Sequence, residues 1–301
     1  FKEINVYYVD ETNPGELMKT GIDAMLGSLD PYTNYYPESD VEDYRFMTTG
    51  EYGGIGAAIR SNEGSIVITE PYKEFPADKA GLKAGDVILA VDGKDATGKN
   101  SSDLSEMLKG KPGTALTLLI QRPGASENLT IKLNREEIKI PSVPYYGMIN
   151  DTVGYIKLNS FTRSAGMEVR EAIKELKEEH GMQKLVFDLR GNPGGLLRES
   201  IKIVNFFIPK GKKVVSTKGK IEQWNKIYKT LDKPIDLEMP VVVLISENSA
   251  SASEIVSGSL QDLDRAVIIG QQSFGKGLVQ ITRSLMYNSK LKVTTAKYYT
   301  P

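Results

Sequence analysis

Apolar residues in the first fifty positions recur with a helical period. Met18, Ile22, Met25 and Leu29 follow one another at i, i+4, i+7 and i+11, which gathers them on one helix face. Asn13-Pro14 supplies a capping side chain followed by a proline suited to the first helical position. The helix is expected to stop before Asp30-Pro31, because a residue preceding proline disfavours α geometry. Tyr32, Tyr35 and Tyr36 then form a polar, aromatic turn. We expect these rings to pack against the next domain, with a ligand surface as the alternative. Residues 1–50 are thus predicted to be a mostly helical segment that packs on the protein's core.

Residues 51–138 change to short apolar runs broken by glycine and proline. Gly53-Gly54-Ile55-Gly56 leads into Ala57-Ala58-Ile59, and strands are predicted at Ser65 to Thr69 and at Asp86 to Val91, the latter ending in Asp92-Gly93. Ser101 or Ser102 is placed to cap a short helix carrying Leu104, Met107 and Leu108. Thr114 to Arg122 and Asn128 to Leu133 alternate like an antiparallel pair around Pro123-Gly124. Together these describe a small, partly open β module.

Residues 139–301 alternate strand and helix, the signature of an α/β layer. Val153 to Leu158 and Lys184 to Leu189 read as strands, with a helix from Ser164 onward carrying Val169, Ile173 and Leu176 between them. Arg190-Gly191-Asn192-Pro193-Gly194-Gly195 turns into another helix, and Pro240 to Ile245 is a buried strand running into Ser249-Ala250-Ser251-Ala252-Ser253-Glu254. Lys210 to Lys233 is lysine-rich and weakly patterned, so we expect a solvated face there, with Trp224 either in the core or in a substrate wall.

Composition then removes whole classes of function. With 38 basic against 39 acidic residues the net charge is −1, which gives no global attraction to nucleic acid or acidic membranes. No apolar run approaches the roughly 18 residues that span a bilayer. The chain begins at Phe1, so any targeting or anchoring segment is expected to lie outside it. There is no cysteine and a single histidine, His180, in a charged helix end. Disulfides, thiolate nucleophiles and His/Cys metal clusters are therefore closed to it, and no metal or other cofactor is expected.

A serine activated by a lysine remains open. The strand at Val241 to Ile245 followed by small residues places a hydroxyl at a helix N-terminus, where free N–H groups suit an oxyanion. Ser249, Ser251 and Ser253 compete for that role, and plain packing of small residues is the alternative. Lys276 lies between Gly275 and Gly277, with Phe274, Leu278 and Val279 nearby. Burial there would lower its pKa and leave a neutral amine to act as base. If the stretch is a strand, Gln280 shares a face with Lys276 and holds the amine without charging it. Gly194-Gly195 can offer an N–H to an oxyanion. A phosphate loop is the competing reading, but the turn lacks the GK[ST] ending and the GxGxxG spacing.

Two resemblances add to this reading. Gly53-Gly54-Ile55-Gly56, Ala80-Gly81-Leu82-Lys83-Ala84-Gly85-Asp86-Val87-Ile88 and Val91-Asp92-Gly93 together resemble a bacterial PDZ domain. Such a domain adds a peptide strand to its sheet edge and binds the terminal carboxylate on loop N–H groups. Asp30-Pro31-Tyr32-Thr33, Asp188-Leu189-Arg190 with Asn192 and Gly194-Gly195, the serine segment, and Phe274-Gly275-Lys276-Gly277 with Gln280 resemble the carboxy-terminal processing peptidases (tail-specific proteases, serine peptidase family S41).

The family resemblance implies Ser251 as nucleophile, Lys276 as general base and Gln280 as supporting amide. It also implies an oxyanion hole from the Ala252 N–H and one glycine of Gly194-Gly195, and in some relatives an acidic residue that falls at Asp262. It implies an α/β and α+β multidomain protein. The crotonase-like core, a spiral of ββα units, would occupy residues 139–301, with the PDZ domain at 51–138 and the helical segment at 1–50. Relatives continue beyond Tyr298-Tyr299-Thr300-Pro301 with more strand and helix. The expected activity is a serine endopeptidase that captures protein C-terminal tails and works through an acyl-enzyme. The expected partners are such protein or peptide substrates, not nucleic acid, with a homo-oligomer and an N-terminal membrane attachment also compatible, in the cell envelope or periplasm. The alternative is a catalytically inactive PDZ-containing scaffold.

Overall fold

A computed structural model describes residues 1–40, 44, 45, 48–62 and 64–301, and only the main chain of Ser39 and Ser102. The chain divides into two units: residues 1–49 with 141–301, and residues 50–140. Part of the helical expectation for the first fifty residues falls on 41–43, 46 and 47, outside the described residues. No helix among the described residues is long and apolar enough to cross a membrane.

The first unit is built on a sheet whose inner strands are apolar on both faces. Val153–Lys157, Lys184–Asp188, Val241–Ile245 and Val267–Gly270 run parallel in that order, and Tyr145–Met148 joins antiparallel at the edge. Parallel strands need covered faces, which explains runs such as Val241-Val242-Val243-Leu244-Ile245. The helix Ala165–Glu178 buries Val169, Ala172, Ile173 and Leu176 against this sheet's core, where they join Phe161 and Phe187. The helices Leu197–Asn205 and Ala252–Asp262 contribute Ile203, Val204, Ile255 and Val256 to the same core. In register, Asp188 sits opposite Leu244, so the turns leaving these two neighbouring strands emerge side by side at their carboxyl ends. That is where open α/β sheets place their sites.

A second sheet of the same unit centres on the strand Lys290–Tyr299. It pairs with Leu278–Ser284 and with Asn34–Tyr36 and Lys213–Gly219, and the last of these pairs with Lys226–Lys229. One expectation is extended here and one corrected. The lysines of the lysine-rich stretch are mostly exposed, as a solvated face requires, but the stretch also holds an antiparallel strand pair with Val214, Val215 and Thr217 buried, whose alternation the outward lysines mask. Tyr35 and Tyr36 lie in the strand Asn34–Tyr36 and are placed by a ladder with residues more than two hundred and fifty positions away, which no local pattern reveals.

The early helix runs Pro14–Gly27, and the Asn13 side chain accepts from the N–H groups of Gly15 and Glu16 at 3.1 and 3.4 Å. Its apolar face is not the buried one: Met18, Met25 and Leu29 are exposed, and Leu26 is the helix's buried residue.

The second unit is a β module with strand order Ala57–Asn62, Ser65–Pro71, Val87–Val91, Ala115–Gln121 and Leu129–Asn134, all neighbours antiparallel. Ile66, Ile68, Ile88, Leu116, Leu118 and Ile120 fill its core. Asp86, wholly buried, holds two parts together, with Arg122 at 2.7 Å and the Lys83 N–H at 2.8 Å. The helix Ser101–Leu108 is capped by Asn100, whose side chain accepts from the Asp103 N–H at 2.9 Å, and not by either serine.

Candidate active site

The turn after Lys184–Asp188 is fixed by its own charges. The Asp188 carboxylate accepts from Arg190 (Nη2 at 2.7 Å, main-chain N at 2.8 Å) and from the Tyr155 hydroxyl at 2.6 Å, with Lys157 3.5 Å away. Burial alone would raise its pKa, but these donors outweigh it and hold the carboxyl at about 2. The turn then sends Asn192 inward, fully buried. Its Nδ2 donates to the Leu158 carbonyl at 2.8 Å, and its Oδ1 accepts from the Gly194 N–H at 2.8 Å. Its carbonyl accepts from the Ala250 N–H at 3.0 Å and from the Ser253 hydroxyl at 2.9 Å. Asn192 thereby ties the glycine turn to the serine turn.

The three serines are not equivalent. Ser249 and Ser253 are fully buried, and each hydroxyl donates to the main chain, Ser249 to Leu189 O at 2.8 Å and Ser253 to Asn192 O. Ser251 is only half-buried and stands at the N-cap of Ala252–Asp262. Its backbone has φ 55° and ψ −110°, a conformation that costs a non-glycine residue about 1–3 kcal/mol and tends to occur at functional sites. Gly194 packs directly against it: a Cβ added there would lie 2.8 Å from Ser251 Cβ and 2.9 Å from Ala252 N, at φ 98°. Only glycine fits. Of the three N–H groups at this turn, that of Gly194 is taken by Asn192, whereas those of Gly195 and Ala252 have no hydrogen bond among the described residues.

Lys276 follows the loop that begins at Phe274, whose N–H donates to Ser249 O at 3.0 Å. Glu254 joins this loop to the serine turn. One carboxylate accepts from the Ser251 N–H (2.7 Å), the Lys276 N–H (3.1 Å), the Gly275 N–H (2.6 Å), the Ser273 hydroxyl (2.9 Å) and the Tyr298 hydroxyl (3.1 Å). Glu254 has no role among the residues that the sequence pattern singles out. The capping-box spacing from Ser251 to Glu254 was the available signal.

The Lys276 ammonium lies over the Tyr32 ring, 4.6 Å from its centroid, and no hydrogen bond joins Nζ to Ser251 Oγ. Burial and then the nearby Lys292 push its pKa down to about 8, against the opposing pull of Glu254 and Asp30. Lys292 is itself lowered by burial.

Gln280 departs from expectation. The strand begins at Leu278, after Lys276, and is bulged between Val279 and Gln280, so the two-residue alternation does not carry across. Its amide donates to Thr294 Oγ1 at 3.1 Å instead of to the lysine. Thr294 in turn meets Thr33, whose hydroxyl donates to Asp30 at 3.0 Å. Asp262 is exposed at the far end of the Ser251 helix, roughly 16 Å along its axis at 1.5 Å per residue. The structure does not bring it to the site. His180 is likewise exposed. No group of three or more His, Asp or Glu poised to hold a metal occurs among the described residues.

In the second unit, Gly53 and Gly54 end a strand paired with Glu136–Lys139. Ile55 is buried, and Gly56 adopts φ 70° with no room for a Cβ beside Phe75, turning the chain into Ala57–Asn62. That strand is the sheet's edge, and the helix Ser101–Leu108 lies beside it.

The model of peptidase family S41 matches residues 152–301, and that of the PDZ domain matches residues 53–133. A carboxy-terminal-processing protease of Bartonella bacilliformis is 40% identical over 306 residues, covering 100% of this chain and 69% of the relative. A probable CtpA-like serine protease of Staphylococcus aureus is 38% identical over 307 residues, covering 100% of this chain and 60% of that relative. The solved photosystem II D1 C-terminal processing protease matches with a TM-score of 0.57 at 30% identity, covering 100% of this chain and 81% of that one.

Proposed function

The chain belongs to peptidase family S41, and on that footing we propose that it is a serine endopeptidase using Ser251 and Lys276. The observation that carries the reading is the shared carboxylate of Glu254, which binds the N–H groups of both residues and so holds the two halves of the site in one frame. A lysine lowered to about 8 is neutral in a useful fraction near pH 7. In this reading Lys276 leaves the Tyr32 face, takes the proton of Ser251 Oγ, and the oxygen attacks the scissile carbonyl carbon. The Ala252 and Gly195 N–H groups receive the oxyanion. Lys276 then returns the proton to the leaving amine, and water hydrolyses the acyl-enzyme. Gln280 acts at one remove, through Thr294, by fixing the strand that follows the base.

The PDZ module captures the substrate's C-terminal tail. The tail adds as a strand to the open edge of Ala57–Asn62, and its carboxylate meets the loop Gly53-Gly54-Ile55-Gly56. By family the protein works in the cell envelope. A fluorogenic peptide assay tests the reading: Ser251→Ala and Lys276→Ala are each expected to lower kcat by at least about a thousandfold while tail binding persists. Equal, vanishing rates in wild type and both variants would favour the inactive scaffold, and full turnover by Lys276→Ala would exclude the dyad.

A further inference from the structure

A groove of about 810 Å³ opens within the first unit, between the turn that follows Gly194-Gly195 and the strand that follows Lys276. Leu196 and Leu197, which directly follow Gly195, line it together with Val279, Gln280 and Ile281, which come three to five residues after Lys276. Its charges are one-sided. Arg163, Arg198, Lys202 and Lys226 line it against a single carboxylate, Glu199, which is already bound by Lys202 at 2.6 Å and by the Gly166 N–H at 3.0 Å. The side chains of Arg163, Arg198 and Lys226 are exposed and make no ion pair or hydrogen bond among the described residues. In a chain of net charge −1 this is a local concentration of positive charge and not a property of the whole surface.

Two further features suit a polypeptide. Among the described residues the strand Leu278–Ser284 pairs only with Lys290–Tyr299, so its other edge has no strand partner and suits a substrate main chain. Thr295 Oγ1, on the groove wall, is buried without a hydrogen-bond partner.

We propose that this groove receives an extended substrate segment bearing carboxylate side chains near the bond to be cut, with Arg163, Arg198 and Lys226 selecting for them. The proposal names a substrate class for the peptidase reading and rests on it. Acidic side chains meet the unpaired cations, while apolar ones lie along the leucine wall. Trp224 and Tyr228 line the same groove.

Trp224 is the single tryptophan of the chain, so its fluorescence reports occupancy. The Ser251→Ala protein is titrated with a peptide containing two glutamates and with the same peptide containing two lysines. Both are amidated at the C-terminus, so that no terminal carboxylate engages the PDZ loop. The glutamate peptide is expected to bind about tenfold more tightly at low salt, with the gap shrinking as salt screens it. Combining Arg163→Ala, Arg198→Ala and Lys226→Ala, with an unchanged thermal melt, is expected to abolish the gap. Equal affinities, a gap that survives the triple variant, or equally tight binding of a short oligodeoxynucleotide would overturn the proposal. Because the readout is binding, loss of the peptidase reading alone would show as discrimination without turnover in wild type. Loss of the groove alone would show as turnover without discrimination.

Discussion

At the scale of single residues, chemistry follows from which groups are already committed. Ser249 and Ser253 are locked to carbonyls, which leaves Ser251 as the serine with reach to a substrate. None of this is visible in the alternating serines of the sequence, because the deciding partners, Leu189 and Asn192, lie roughly sixty positions away. The family resemblance selected Ser251 where local pattern left three choices open. Lys276 was legible as a residue that would be buried, but its perch on Tyr32 and its neighbour Lys292 were not.

The lysine also has a stability consequence. A lysine whose folded pKa is lowered binds fewer protons folded than unfolded between about 8 and its ordinary value near 10.4, so its burial destabilises the fold below about pH 8. That penalty disappears as pH rises through the unfolded pKa. Lys276→Met is therefore expected to be inactive yet more stable at pH 7, on the order of 1 kcal/mol once solvent screening is discounted. Urea unfolding of the variant at pH 7 and pH 10.5 checks it, and a loss of stability at pH 7 contradicts it.

At the scale of elements, most strands and helices follow from sequence period. The parallel strands Lys184–Asp188 and Val241–Ile245 stand within a residue of where apolar runs put them, because Leu185-Val186-Phe187 and Val241 to Ile245 are continuous apolar runs with little exposed surface. Two things escaped. The bulge between Val279 and Gln280 breaks the face that spacing assigns to Gln280, and the strand pair inside Lys210 to Lys233 is hidden by lysines on its outer face.

The turn after Lys184–Asp188 makes its own prediction. Asp188, held at about 2, contributes stability that is present above its unfolded pKa near 3.9 and is lost as pH falls through about 2. Asp188→Asn should lose about 2 kcal/mol at pH 7, with the gap to wild type closing between pH 4 and pH 2. A gap that stays constant over that range would show that Asp188 is not held as described.

At the scale of the molecule, the chain is one unit interrupted by another: residues 50–140 form their own β core, and residues on both sides of them form the α/β core. The glycine loop and the buried Asp86 were readable as one module because its elements are consecutive. The return of Asn34–Tyr36 to the strand Lys290–Tyr299 was not, because it joins distant parts of the chain. The same return carries Tyr32 to Lys276, so Lys276 meets a side chain contributed by the far end of the interrupted unit.

What this arrangement does is read from turnover as a function of pH. kcat/KM for a fluorogenic peptide should rise through a single ionisation near pH 8 and level off above it, since only neutral Lys276 accepts the Ser251 proton. Lys292→Met, which removes the neighbouring charge that helps lower Lys276, should move that midpoint upward. A profile flat from pH 6 to pH 10, or a midpoint unmoved by Lys292→Met, would contradict a Ser251–Lys276 mechanism.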